Sequence, residues 1–236
     1  AGTLGSGDYV KERFPGSLIA VGEALQCPTL LANGFGGHRI EGIGDKHVPW
    51  IHNVRNTDMV IAVDDELTIR AMRLCNEPAG RDYLASRGVP EALVASLDLL
   101  GISGIGNVIA AVKMARYYEL TENDIIFTVL TDSVELYASR LRELAAERGE
   151  YTRDDALRDY EAVMGITTDS MLELRYPDRK RIHNLKYYTW IEQQARELDE
   201  LNRQWYDFAN YWDRTGLAEQ IDEKITAFNA LAGYTP

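Results

Sequence analysis

The chain has 236 residues, room for one large domain or a domain with an appendage. Its 45% hydrophobic and 26% charged residues, with 19 Gly, 7 Pro and 2 Cys, exclude the disordered, collagenous and disulfide-stapled classes. With 37 acidic against 25 basic side chains, the net charge of −12 repels nucleic-acid phosphate and anionic lipid, so neither is an expected partner. Cys27 and Cys75 lack metal-ligand spacing, which points to no metal site and to a reducing, cytoplasmic compartment. The apolar runs are far shorter than the roughly 20 residues that span a bilayer.

Ala1 to Gly7 has neither the charged nor the apolar region of a signal peptide, and the expectation is a chain that is processed or lacks a part. Gly2-Thr3-Leu4-Gly5-Ser6-Gly7-Asp8 reads as a loop entering a short helix, Tyr9 to Phe14, closed by Pro15-Gly16. Such a loop turns amides toward an anion such as phosphate, or is Gly-rich for steric reasons only, with Ser6 or Asp8 as an N-cap. Leu18 to Val21 reads as a strand. In Glu41-Gly42-Ile43-Gly44-Asp45-Lys46-His47-Val48-Pro49, two glycines a residue apart allow close approach to a flat ligand. Met59 to Val63 reads as a strand and Asp65 to Cys75 as a helix ending near Pro78-Ala79-Gly80. Gly101-Ile102-Ser103-Gly104-Ile105-Gly106-Asn107 delivers a helix that runs through Ala115, or is simply a tight connection. Ile125 to Leu130 reads as a third strand, followed by Thr131-Asp132-Ser133, where an α/β sheet binds its ligand. The expected fold class is α/β, a parallel sheet with flanking helices.

These motifs, in this order, resemble the C-terminal half of the cysteine synthase and cystathionine β-synthase family, fold-type II enzymes that depend on pyridoxal 5'-phosphate. They are the Gly/Thr loop, Gly-Ile-Gly-x-x-x-Val-Pro, the Asp58 to Glu66 run, Gly-x-Ser-Gly before a helix, and Leu-x-Asp-Ser. The resemblance implies a core at residues 1–139 and a lyase or transferase acting by β-elimination or β-replacement on a small amino acid, through an aminoacrylate. It implies that Gly2 and Thr3 hold the cofactor phosphate, that Gly42 and Gly44 form the turn beside the reacting centre, and that Ser133 hydrogen-bonds the pyridine nitrogen. It places the Schiff-base lysine upstream of the phosphate loop. No lysine of this chain is given that role, and activity is expected only with a missing N-terminal segment or subunit. Where familiar members carry small apolar residues, this chain has Asp45-Lys46-His47. Lys46 and His47 are candidates for binding an anionic substrate group, or pair with Asp45 in solvent.

Residues 140–236 read as a helical extension, similar to that of a longer bacterial cysteine-synthase-like branch. Its aromatics, among them Tyr187, Trp190, Trp205 and Trp212, are expected to pack it onto the core or onto a second subunit. The expectation is that it serves assembly, as a homodimer. The alternative to an enzyme is a non-catalytic α/β subunit or binding module that keeps the fold without the cofactor lysine.

Overall fold

A computed structural model of the protein describes residues 2–213 and 215–234. At its centre is a mixed three-stranded sheet, β1 (Ala20–Ala24), β2 (Met59–Val63) and β3 (Met171–Glu173), in the order β1-β2-β3. β1 runs parallel to β2, pairing Ala20 with Met59 and Ala24 with Val63, and β3 is antiparallel to β2, pairing Ile61 with Met171. The sheet is therefore not wholly parallel. β1 also starts later than Leu18, because the Ile19 carbonyl takes the amides of Asp58 and Met59 and the ladder begins only at Ala20.

All five β2 residues are buried, and their period-two alternation splits the core into two layers. Met59, Ile61 and Val63 pack with Ile40, Ile69, Met72, Ile102 and Ile105. Val60 packs on the other face with Val48, Val54, Leu174 and Ile182. That second layer comes partly from beyond residue 140, so the extension contributes β3 and a helix to the sheet rather than hanging from it. Met171–Glu173 has no β-branched residue, which is why the sequence does not announce a strand there.

The Gly-rich opening is not a loop: Gly2–Arg13 forms helix α1, although glycine weakens a helix by about 1 kcal/mol relative to alanine. Tertiary contacts hold it. Lys11 pairs with Asp58 at 2.5 Å, the Asn53 and Asn56 side-chain amides donate to Asp8, and the missing Cβ of Gly7 lets Ile19 approach.

After β1 comes α2 (Thr29–Ala32), and directly after β2 comes α3 (Asp65–Asn76), capped by Asp64, whose carboxylate accepts from the Glu66 amide. Pro78-Ala79-Gly80 does end α3, yet it also opens α4 (Pro78–Ser86), where a Cβ on Gly80 would run into the Leu74 carbonyl. α5 (Glu91–Ala95) and α6 (Ile102–Tyr117) follow. The extension holds α7 (Ala138–Arg148), α8 (Arg153–Met164), α9 (Tyr176–Lys186), a π-helical segment Tyr187–Gln193, α10 (Leu198–Tyr206), α11 (Phe208–Trp212) and α12 (Thr215–Ala232). No single helix among the described residues is long and apolar enough to cross a membrane.

The third expected strand does not form. Residues 125–130 have no strand partner among the described residues, and Ile125 and Phe127 are 78% and 85% exposed, with Val129 and Leu130 exposed beside them. High β-propensity makes a strand only where a neighbour completes the ladder.

Candidate functional site

Three chain segments meet near the carboxyl end of β1. The turn after Ile40 carries Gly42 at φ 87° and Gly44 at φ 79°, left-handed values that disfavour any side chain. A Cβ on Gly44 would lie 3.2 Å from the Ala24 amide nitrogen, so this turn packs directly on the strand end. A Cβ on Gly42 would lie 3.6 Å from the Cβ of Ser103, a buried residue in the first turn of α6. Ser103 Oγ is 3.1 Å from Thr131 Oγ1, and the Gly101 amide donates to the Asp132 carbonyl at 2.9 Å. A side chain on Gly101 would collide with Asp132 Oδ1. The Gly42 turn and the Thr131-to-Ser133 stretch thus meet through Ser103, and Gly44 seats the same turn on the end of β1.

Ser133 is half-buried in an extended conformation (φ −113°, ψ 165°), and its hydroxyl has no hydrogen-bond partner among the described residues. Next to it, Asp132 accepts from the Tyr137 hydroxyl at 2.6 Å through Oδ2, while Oδ1 is buried without a partner. Burial, reinforced by that carboxylate, raises the Tyr137 pKa and keeps the phenol a donor. Sequence reasoning placed Thr131 and Asp132 only within the strand-end motif of Ser133 and assigned no individual role to Ser103 or Tyr137. Ser103 lies inside a motif it did quote, whereas nothing in the residue pattern announces the bond between Asp132 and Tyr137.

Gly2 and Thr3 open α1, and the side chain of Thr3 lies outside the described residues. The described contacts of α1 run to Ile19, Asn53, Asn56 and Asp58, which all precede the strands. They do not join α1 to the Gly42 cluster. Lys46 and His47 follow the turn and line a separate pocket together with residues of α2, the loop after it and the π-helical segment. Within this pair, Asp45 Oδ1 accepts from the His47 amide at 3.1 Å and sits 3.4 Å from His47 Nδ1, whereas Lys46 has no partner among the described residues.

Two buried charged side chains lie behind these loops. Glu23, on β1 below Gly44, accepts from the Leu30 and Leu31 amides at 2.9 and 2.8 Å. Burial raises its pKa, and the two amides and Arg181 act against that rise. Lys186 is 0% exposed and donates to the Trp50 and His52 carbonyls and to Gln204 Oε1 at 2.9, 2.7 and 2.7 Å. Burial lowers its pKa to about 7. Burial and this nearby ammonium lower His52 and His183 to about 3. The aromatics of the extension close the same region. Trp205 is 4% exposed, packed edge-on against Tyr176 and beside His183, and the Trp190 indole donates to the Val48 carbonyl at 2.8 Å. The Trp205 face that suggested contact with a second subunit is covered by the chain itself.

The fold and the cluster define an α/β chain whose glycine turn, helix start and Ser133 segment converge at a strand end. No family model matches it. Over 139 residues, 58% of this chain, it is 32% identical to cysteine synthase B of Campylobacter jejuni. The chain spans 40% of the length of that relative. The likeness to cysteine synthases read from the motifs is thereby also an alignment over those 139 residues. Two solved structures of a hydrogen sulfide-producing enzyme are also similar. The one from Fusobacterium nucleatum is 28% identical over 65% of this chain and 39% of its own, at a TM-score of 0.43. The other, a mutant in complex with an α-aminoacrylate intermediate, is 25% identical over 73% and 42%, at 0.44.

Proposed function

We propose that this chain is part of a pyridoxal-phosphate-dependent lyase or transferase that carries out β-elimination or β-replacement on a small amino acid. The observation that carries the reading is the Ser133 segment held against the Gly42 turn through Ser103 and Thr131, with the Ser133 hydroxyl unpartnered and Asp132 Oδ1 buried without a donor. Polar groups left without partners, at Ser133 and Asp132, suit a guest that brings a donor or acceptor of its own. When bound, pyridoxal phosphate supplies an electron sink for charge at the amino-acid α-carbon.

In this reading Gly42 and Gly44 flank the ring and Ser133 hydrogen-bonds its nitrogen. A neutral hydroxyl leaves that nitrogen largely unprotonated, which favours loss of a β-substituent over reactions that hold charge on the α-carbon for long. Gly2 and Thr3 are proposed for the phosphate on their motif alone, and that role requires α1 to stand nearer the Gly42 turn than its contacts with Asn53, Asn56 and Asp58 hold it. Lys46 and His47 take an anionic part of the substrate. Tyr137 holds Asp132, and so the backbone that carries Ser133.

The lysine that binds the cofactor comes from another polypeptide segment, covalent or separate. In support, the described lysines nearest the sheet are engaged elsewhere: Lys11 on Asp58, Lys113 on the Ala62 carbonyl at 3.1 Å, and Lys186 on its three oxygens. The exposed apolar stretch 125–130, whose Val129 carbonyl is taken by the Asn107 side chain, offers such a segment a strand edge without a ladder partner among the described residues. The same engagement of the lysines is what a non-catalytic subunit would show, and a homodimer belongs to the proposal as an outcome to be read by sedimentation.

The test is the absorbance of the complete protein. A band near the visible edge that borohydride bleaches and fixes onto a lysine supports the enzyme. Protein that takes up no pyridoxal phosphate refutes it and leaves the binding-module reading.

A further inference from the structure

Lys46, His47 and Val48 form one wall of a pocket of about 390 Å³ whose opposite wall belongs to the extension. Its rings are Phe35 and Tyr188, 77% and 61% exposed at the mouth, and Asn33, Thr189 and Gln193 add neutral polar groups. No Asp or Glu lines it, in a chain of net charge −12. Asp45, just outside, is turned to His47, and the Lys46 ammonium has no partner among the described residues.

Both walls are held in place. The Trp190 indole is tied to the Val48 carbonyl and packs edge-on against Trp50 with ring centres 6.0 Å apart, which locks the π-helical segment to the Lys46 turn. On the other side Asn33 sits at φ 54° and accepts from Arg181, which also donates to the Leu30 carbonyl at 2.7 Å, and a Cβ on Gly34 would press into Pro28. The π-helical register of Tyr187–Gln193 has a further effect. Residues five apart stack on one side of a π-turn, whereas in an α-helix they diverge by about 140°. Tyr188 and Gln193, five apart, both line the pocket. A rigid concave site with two rings, one free cation and neutral polar groups is complementary to a small flat anion.

We propose that this pocket is a specificity subsite for a small carboxylate that carries a flat apolar group, the charge on Lys46 and the flat group between Phe35 and Tyr188. The extension, through Tyr188 and Gln193, then decides which molecules the Lys46 segment accepts. The subsite rests on the reading above only in being the place for the distal part of the substrate; binding itself needs no cofactor.

The experiment titrates the chain with 3-phenylpropionate, with its amide and with propionate, followed by ligand-observed NMR. The expected result is saturable binding of 3-phenylpropionate, weaker for the other two. Lys46→Gln weakens the carboxylate by about fivefold or more and leaves the amide within about twofold, since a charge-assisted contact is lost. Tyr188→Ala weakens both aryl probes, and Lys180→Gln, on the neighbouring helix, changes neither. Circular dichroism of each variant checks for an unchanged fold, as expected for the exposed Lys46 and Tyr188 and for the half-buried Lys180, whose stem glutamine retains in part. Absence of saturable binding below about 10 mM, or equal loss of carboxylate and amide in Lys46→Gln, overturns the subsite. If the probe binds as expected but the complete protein takes up no pyridoxal phosphate, the subsite stands and the enzyme reading falls; the reverse pattern removes the subsite alone.

Discussion

Replacing Lys186 with methionine tests whether a buried ammonium joins the extension to the core. The amine reaches the Trp50 and His52 carbonyls, on the loop before β2, and Gln204 on α10. Methionine is close in volume but leaves those oxygens without their donor. The His52 carbonyl keeps the Val54 amide at 3.0 Å and the Trp50 carbonyl keeps a 3.1 Å bond from Gln204 Nε2, so Gln204 Oε1 is the acceptor that loses its donor. Each buried acceptor left bare costs about 1–3 kcal/mol, offset in part by no longer burying a charge. With one acceptor left bare, we therefore expect a net loss of about 1–2 kcal/mol at pH 7.

The pH dependence is more specific. Burial brings the Lys186 pKa from 10.5 to about 7 in the folded chain, so between those values the unfolded chain binds more protons. Stability then rises with pH across this window, by up to roughly 1.4 kcal/mol per pH unit, and the contribution is absent below pH 7, where both states are protonated. Urea melts of both proteins between pH 6.5 and 9.5 measure it. The wild-type curve should climb with pH and the Lys186→Met curve should lose that climb. Parallel curves for the two proteins would show that Lys186 keeps its proton throughout, and the reasoning from burial would be wrong.

Ser133→Ala should leave the circular dichroism spectrum unchanged and lower turnover of the complete protein by about tenfold, through loss of one hydrogen bond and ring orientation; unaltered turnover and cofactor spectrum would remove Ser133 from the site. Trp205→Ala should cost about 3–5 kcal/mol by opening a cavity without altering the sedimentation coefficient of the folded protein, and dissociation of an oligomer would instead restore its assembly role. Cys75, whose pKa burial raises to about 11, should react with a disulfide reagent at pH 8 far more slowly than a free thiol, and rapid labelling would contradict its burial.

The parts of the fold written in contiguous residues were legible. Met59 to Val63 is an uninterrupted apolar run because it is buried on both faces, and Asp64 followed by acidic residues marks the start of α3 as any N-cap does. The glycines at 42 and 44 were legible as a turn since they take backbone angles closed to other residues. What failed depended on partners distant in sequence. Ile125 to Leu130 has strand composition without a ladder, Gly2 to Arg13 is helical through contacts to Asn53, Asn56 and Asp58, and Met171 to Glu173 is a strand only because β2 lies beside it. Nothing in the sequence marks Lys186, because only the folded chain brings three oxygens to its amine.

The bare stretch at residues 125–130 also governs how the polypeptide behaves before it meets anything. Strand formers with unmet backbone groups recruit like strands, and the nearest recruit in a concentrated solution is another copy of the same stretch. The Val129 carbonyl is already taken by the Asn107 side-chain amide at 2.7 Å, which leaves the Ile125 end the more open. Glu122 and Asp124 before it repel such a copy in register, as gatekeeper charges do, whereas Asp132 is turned to Tyr137. The protection of the two weakens as salt screens them. Expressed alone, the chain should therefore stay dispersed in dilute, low-salt buffer and turn turbid under concentrated salt. Synthesis alongside whatever covers the stretch shortens the interval in which those two carboxylates guard it.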